Sequence, residues 1–323
     1  MNYLQNLKPL LIEGFATHTA SASRTRRRVA TRPDFLLPFR QKAPTIEKAL
    51  NTIYSDPDRL LTPEGLWNIL SFRGATYGSL YAKDDLEWFN SYSEWDEYYQ
   101  ASTKTKNGQK KQYFVNICAY GFNNKCRTIE NISQYWTERL RWTSFIQSRP
   151  KIEEMFKFLI QIHKKEHGGK KVFQNIGTLT ALLVCGDLVE VGILEMPSIE
   201  EWASLIYNVG KGATRGLQCL ALLGDTFTQD QVINAFKELD TFLQEKLSNE
   251  DRELMGYSII MLEHSLCKFT RILEKDDKPK KSSKAKKRRR TTLVKKKLQV
   301  MESESEVMES ESEVMEPESE ESM

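Results

Sequence analysis

Long apolar runs are missing from this 323-residue chain. The best, Leu179–Cys185, falls far short of the ~20 residues that cross a bilayer, so no membrane partner is expected. Cysteine is sparse. Cys118, Cys126, Cys185, Cys219 and Cys267 form no C-x-x-C pair, which argues against a zinc ribbon, and their odd number argues against a secreted disulfide framework. His163 and His167 have metal-ligand spacing, but they stand in HKKEH at a charged helix end; they read as solvated residues, and neither a metal nor a cofactor is expected. Acid is absent from residues 14–32, whose Arg, Ser and Thr content resembles an organellar transit peptide. This makes the mitochondrion a minor alternative location; otherwise the segment is an arm.

A net charge of +3 conceals a separation at the end of the chain. Residues 275–297 carry thirteen Lys/Arg against two Asp, and residues 298–323 carry ten Glu and no base. The body is therefore near neutral, and any phosphate binding must come from a local patch. The run KPKKSSKAKKRRR, within 278–297, has the density of a nuclear import signal, so import receptors are expected partners and the nucleus the expected location. Val300, Val307 and Val314 begin a seven-residue acidic repeat. Adjacent Val and Met cannot fill both a and d positions, so no coiled-coil seam exists and the tail reads as disordered.

The rest, with 40% hydrophobic residues, six Trp and fifteen Phe, can bury a sizeable core. Residues 1–43 read as an arm and irregular lead-in, and 44–274 as one mainly α domain. Thr62-Pro63 marks a helix start, Ser198/Glu201 and Thr228/Gln231 are capping boxes, and a helix near 173–194 is apolar nearly all round, hence central. The aromatics of 85–100, Trp88, Phe89, Tyr92, Trp95, Tyr98 and Tyr99, read as core, with base stacking the alternative. Asn107-Gly108 followed by Tyr113–Ile117 suggests a small β-hairpin near 102–120.

Four motifs could carry chemistry. Asn124 can cap a turn before Arg127 and Glu130, which share a helical face and otherwise form an ordinary surface ion pair. Asp187 continues the apolar stripe of Leu179 and Leu183; buried there, its carboxylate needs a partner, and an Arg, His or Lys from another motif is expected. The turn holding Lys211, Gly212 and Arg215 offers backbone N–H groups and cations to a phosphate, or is a plain helix connection with a glycine cap. On the last helix Glu263 and Cys267 are i, i+4 neighbours beside His264, which can titrate.

In order, F-x-N-x-x-R-x-x-E-x-I-S, I-G-x-L-x-A…G-D-L, G-x-G-A-x-R-G-L and E-H-S-L-C resemble the helical family of thymine-hypermodification proteins, over about 122–272. This family includes the alpha-glutamyl/putrescinyl thymine pyrophosphorylases and the helical domain of 5-hydroxymethyluracil DNA kinases. The resemblance implies a DNA-glycosylase-like helical fold in which an amine or amino acid displaces pyrophosphate from an activated 5-hydroxymethyl pyrimidine in DNA. By position it implies catalytic Asn124, Arg127, Asp187, Glu263 and His264, and DNA or phosphate binding by Lys211, Gly212 and Arg215. Glu130 and Lys268 depart from the pattern, the latter standing where the family has an acid. The alternative is a non-catalytic nuclear DNA- or chromatin-binding protein on the same scaffold. A single pocket uniting Arg127, Asp187, Arg215, Glu263 and His264 would favour the enzyme; scatter would favour the binder.

Overall fold

The computed structural model describes residues 29, 31–121, 123–162, 169, 171–210 and 212–276, and these are mainly helical. The expectations placed on Lys211, on His163 and His167, on residues 1–28 and on the chain beyond 276 lie outside the described residues. No described helix is long and apolar enough to cross a membrane.

Local signals account for most helix starts. Thr62 Oγ1 accepts the Gly65 N–H at 3.2 Å ahead of Pro63–Leu70. The Ser198/Glu201 box closes in both directions at 3.2 and 2.8 Å before Ile199–Val209, and Thr228/Gln231 does the same before Gln229–Lys246. Each satisfies N–H groups that the first helical turn leaves open. An unanticipated box at Ser248/Asp251 begins Asn249–Met255. Gly256, at φ +62°, ends that helix, and the last helix, Ile259–Asp276, follows as a separate piece.

The apolar helix is central, as its all-round hydrophobicity requires. Thr178–Glu190 has every residue from Thr180 to Val189 buried, and it packs against Ile152–Ile160 and Ile199–Val209. The aromatic segment supplies core: Phe89 and Trp95 are buried, with Trp95 edge-on to Tyr81 at 5.6 Å and to Phe114 at 5.8 Å.

Two expectations are corrected. Asn107 and Gly108 do make a tight turn with positive φ, closed by the Lys106–Gln109 bridge. No strand follows, because Lys110–Phe114 is a helix. Tyr113 and Phe114 are both buried, against the in–out alternation of a hairpin strand with one solvated face. The lead-in also contributes to the core: Val29 is buried, and Leu36, Phe39 and Arg40 are each 1% exposed, the last three carried by the short helix Pro33–Leu36 and a 3₁₀ turn at Arg40–Lys42.

The helix Pro63–Leu70 runs into a π-helical turn, Ser71–Thr76, marked by the i→i−5 bond from Tyr77 N–H to the Phe72 carbonyl at 2.7 Å. Such turns interrupt a helix at a cost and re-aim side chains. Here the turn sends Arg73 inward.

Candidate functional site

Asp187 is 3% exposed and is fully engaged. Arg73 donates to it twice, Nε to Oδ2 and Nη2 to Oδ1, both at 2.5 Å. Arg40 Nη2 donates to Oδ1, and also to the Leu183 carbonyl at 2.7 Å. The Tyr54 hydroxyl donates to Oδ2 at 2.7 Å. Glu190 Oε2 lies 3.2 Å from Arg40 Nε, so two buried arginines face two buried carboxylates. Burial alone would raise the Asp187 pKa, but Arg73 and Arg40 outweigh it and hold the carboxyl below its usual range. The same burial, with Asp187 adding to it, pushes the Tyr54 hydroxyl well up. Interior placement follows the sequence expectation. The partners do not: both arginines come from the part of the chain that precedes all four motifs.

Gly186 explains how Arg40 fits. A Cβ there would lie 2.7 Å from Arg40 Nη1 and 2.9 Å from the Ile260 side chain, so a glycine in mid-helix, ordinarily unfavourable by about 0.5–1 kcal/mol, makes room for a guanidinium.

Arg127 is 2% exposed and forms no pair with Glu130, which bonds Lys111 instead. Its guanidinium donates to the carbonyls of Arg73 at 2.8 Å and of Ala75 and Tyr77 at 3.4 Å, and it lies over the Tyr120 ring at 4.6 Å. These are the open carbonyls at the end of the π-turn. Asn124 reaches the same turn indirectly, through Asn175, whose amide donates to the Gly74 carbonyl at 2.6 Å. The first motif therefore holds the turn that aims Arg73.

The fourth motif opens onto a cleft. Glu263, His264, Cys267, Lys268 and Arg271 line one wall, and Arg40, Arg73 and the stacked Tyr77–Tyr120 pair line the other. Its free volume, about 30 Å³, is room for a few waters. A nucleobase would enter only if the walls parted. A larger hollow of about 870 Å³ near Pro57, Arg149 and Met196 contains none of the sequence-predicted residues.

Burial sets the protonation of the wall. His264 is held well below the usual imidazole pKa by burial and by Lys268, Arg40 and Arg271, and its Nε2 has no hydrogen-bond partner among the described residues. Lys268 is pushed down to about 7 by burial and by Arg271. Glu263 is raised by burial and accepts the Cys267 thiol at 3.0 Å. Imidazole is thus neutral at physiological pH and the lysine partly so, while Arg40 and Arg73 keep their charge.

Gly212 and Gly216 serve packing against this wall. Gly210, at φ +71°, ends Ile199–Val209. Gly212, at φ +78°, would place a Cβ 2.5 Å from Cys267 Sγ, and Gly216 would place one 2.8 Å from Leu266. Arg215 is exposed on Ala213–Cys219 and does not line the cleft.

Of the five residues used to distinguish enzyme from binder, Glu263 and His264 share the cleft. Asp187 lies behind Arg40 and Arg73, Arg127 lies behind the π-turn, and Arg215 is elsewhere. Arg40 and Arg73, which complete the site, gave little sequence signal. The signal that could have found Arg73 is its charge among Leu70, Phe72 and Ala75. No family model, curated protein or solved structure matches this chain.

Proposed function

We propose that the cleft between the π-turn and Ile259–Asp276 is the reaction site of a DNA-base-modifying transferase, in which an amine displaces pyrophosphate from an activated 5-hydroxymethyl pyrimidine. The reading draws its chemistry from the resemblance over 122–272. One structural observation supports it: His264, neutral and with Nε2 unpartnered, faces a wall of arginines. Neutral imidazole can take the proton of the attacking amine. Arg271 has no carboxylate partner among the described residues and suits the departing pyrophosphate, with Arg40 and Arg73 adding positive potential. Asp187 anchors those two arginines and touches neither reactant, and Arg127 and Asn124 position Arg73 through the turn. The base would be flipped from the duplex or met unpaired.

A second reading, a non-catalytic nuclear DNA- or chromatin-binding protein, draws support from the narrowness of the cleft and from the separation of Arg127, Asp187 and Arg215. The two readings part in one assay. Full-length protein is given an oligonucleotide carrying a pyrophosphorylated 5-hydroxymethyluracil and a panel of amines and amino acids, and released pyrophosphate and nucleoside mass are measured. The transferase reading expects pyrophosphate release that His264→Gln lowers by about 10²-fold or more. DNA binding with no release from any donor would replace it with the second reading.

A further inference from the structure

Among the described residues Lys268 is a buried amine without an ion-pair partner. It is 3% exposed, and Nζ donates to the Asp34 carbonyl at 2.7 Å. The Asp34 carboxylate itself pairs with Lys83 at 2.8 Å. A structural lysine this deep ordinarily meets a carboxylate. Lys268 instead lines the cleft beside Arg271, whose Nη2 donates to the Tyr120 carbonyl at 3.1 Å and whose guanidinium lies 4.9 Å from the Phe35 ring centroid. One turn back on the same helix stands His264 with its unpartnered Nε2. A water-poor cleft, an amine crowded by cations and a neutral imidazole are the surroundings that make a lysine nucleophilic.

We infer that Lys268 captures a small anionic aldehyde as an imine, with Arg271 holding the anionic group and His264 carrying a proton. The neutral amine adds its lone pair to the carbonyl carbon, forming the C–N bond as the carbonyl π pair moves to oxygen. His264 relays a proton from nitrogen to that oxygen. The carbinolamine then loses its oxygen as water, which takes the second amine proton, so amine plus aldehyde become imine plus water with no change in oxidation state. The pKa of about 7 agrees with this role: near pH 7 about half of such amines are neutral, against fewer than one in a thousand for an ordinary lysine.

Full-length protein is incubated at pH 7 with glyoxylate and cyanoborohydride, and carboxymethyl-lysine is mapped by peptide mass spectrometry. Lys104 and Lys111 serve as controls, because they are exposed and their bonds to Asp85 and Glu130 raise their pKa. Lys268 is expected to be labelled at least tenfold faster than either, and excess inorganic phosphate is expected to slow Lys268 alone. Lys268→Arg should remove that label. Should the variant fail to fold, the wild-type map still decides. Equal or slower labelling at Lys268, or labelling seen only after denaturation, would overturn the inference. The assay contains no DNA, so its outcome is independent of the transferase reading.

Discussion

At the scale of single residues, the cost of burying charge governs the interior. Arg40, Arg73, Asp187 and Glu190 are all enclosed, and removing one member leaves others uncompensated. Asp187→Asn is expected to destabilise by about 3–5 kcal/mol in chemical denaturation, because Arg73 loses its only carboxylate partner among the described residues. The sign with pH follows from the lowered Asp187 pKa. Its contribution is complete above the unfolded value of about 3.9 and is lost as pH falls through the folded one. The gap between wild type and variant should therefore be flat near neutrality and close in acid. A gap that persisted undiminished at pH 2 would contradict this account of the pair. That Asp187 needed a cation was legible from its apolar stripe. Which cation was not, because Arg73 and Arg40 lie 114 and 147 positions away.

At the scale of elements, close approach explains what propensity does not. Gly186 interrupts an otherwise apolar helix, and Gly→Ala in mid-helix usually stabilises by about 0.5–1 kcal/mol. Here the new methyl would meet Arg40 Nη1 and Ile260, both fixed by the buried network and the adjacent helix. Gly186→Ala should instead lower stability by about 1–3 kcal/mol, and a rise in the melting temperature would show that Arg40 is free to move. The hairpin expectation failed at the same scale. Asn107-Gly108 formed its turn as local chemistry requires, but the residues after it were claimed by the aromatic core around Trp95 and Phe114. The Gly210–Gly216 turn was legible as a helix connection, whereas the tight seat of Gly212 on Cys267 depends on a helix some fifty residues later.

At the scale of the whole molecule, the near-neutral body and the two opposite charge blocks divide the work. The nuclear reading rests on the basic block alone. Deleting 277–323 preserves Ile259–Asp276 and is expected to abolish nuclear accumulation of a tagged protein while leaving thermal melting within about 1 °C, since the whole described core is kept. Continued import would move the targeting signal elsewhere. A large fall in melting temperature would mean that the tail contributes to the fold.

Helix starts, the central helix, the aromatic core and the charge blocks were determined by the sequence itself, because capping bonds, hydrophobic periodicity and charge density act within a few residues of one another. The tertiary structure alone decided that Arg40 joins the core from an irregular lead-in, that Arg127 holds a turn rather than a surface ion pair, and that Lys268 lines a cleft with no ion-pair partner among the described residues. Those outcomes depend on which distant groups compete for one buried position. The competition is settled by the desolvation cost of each charge and by the room that glycines such as Gly186 and Gly212 leave for their neighbours.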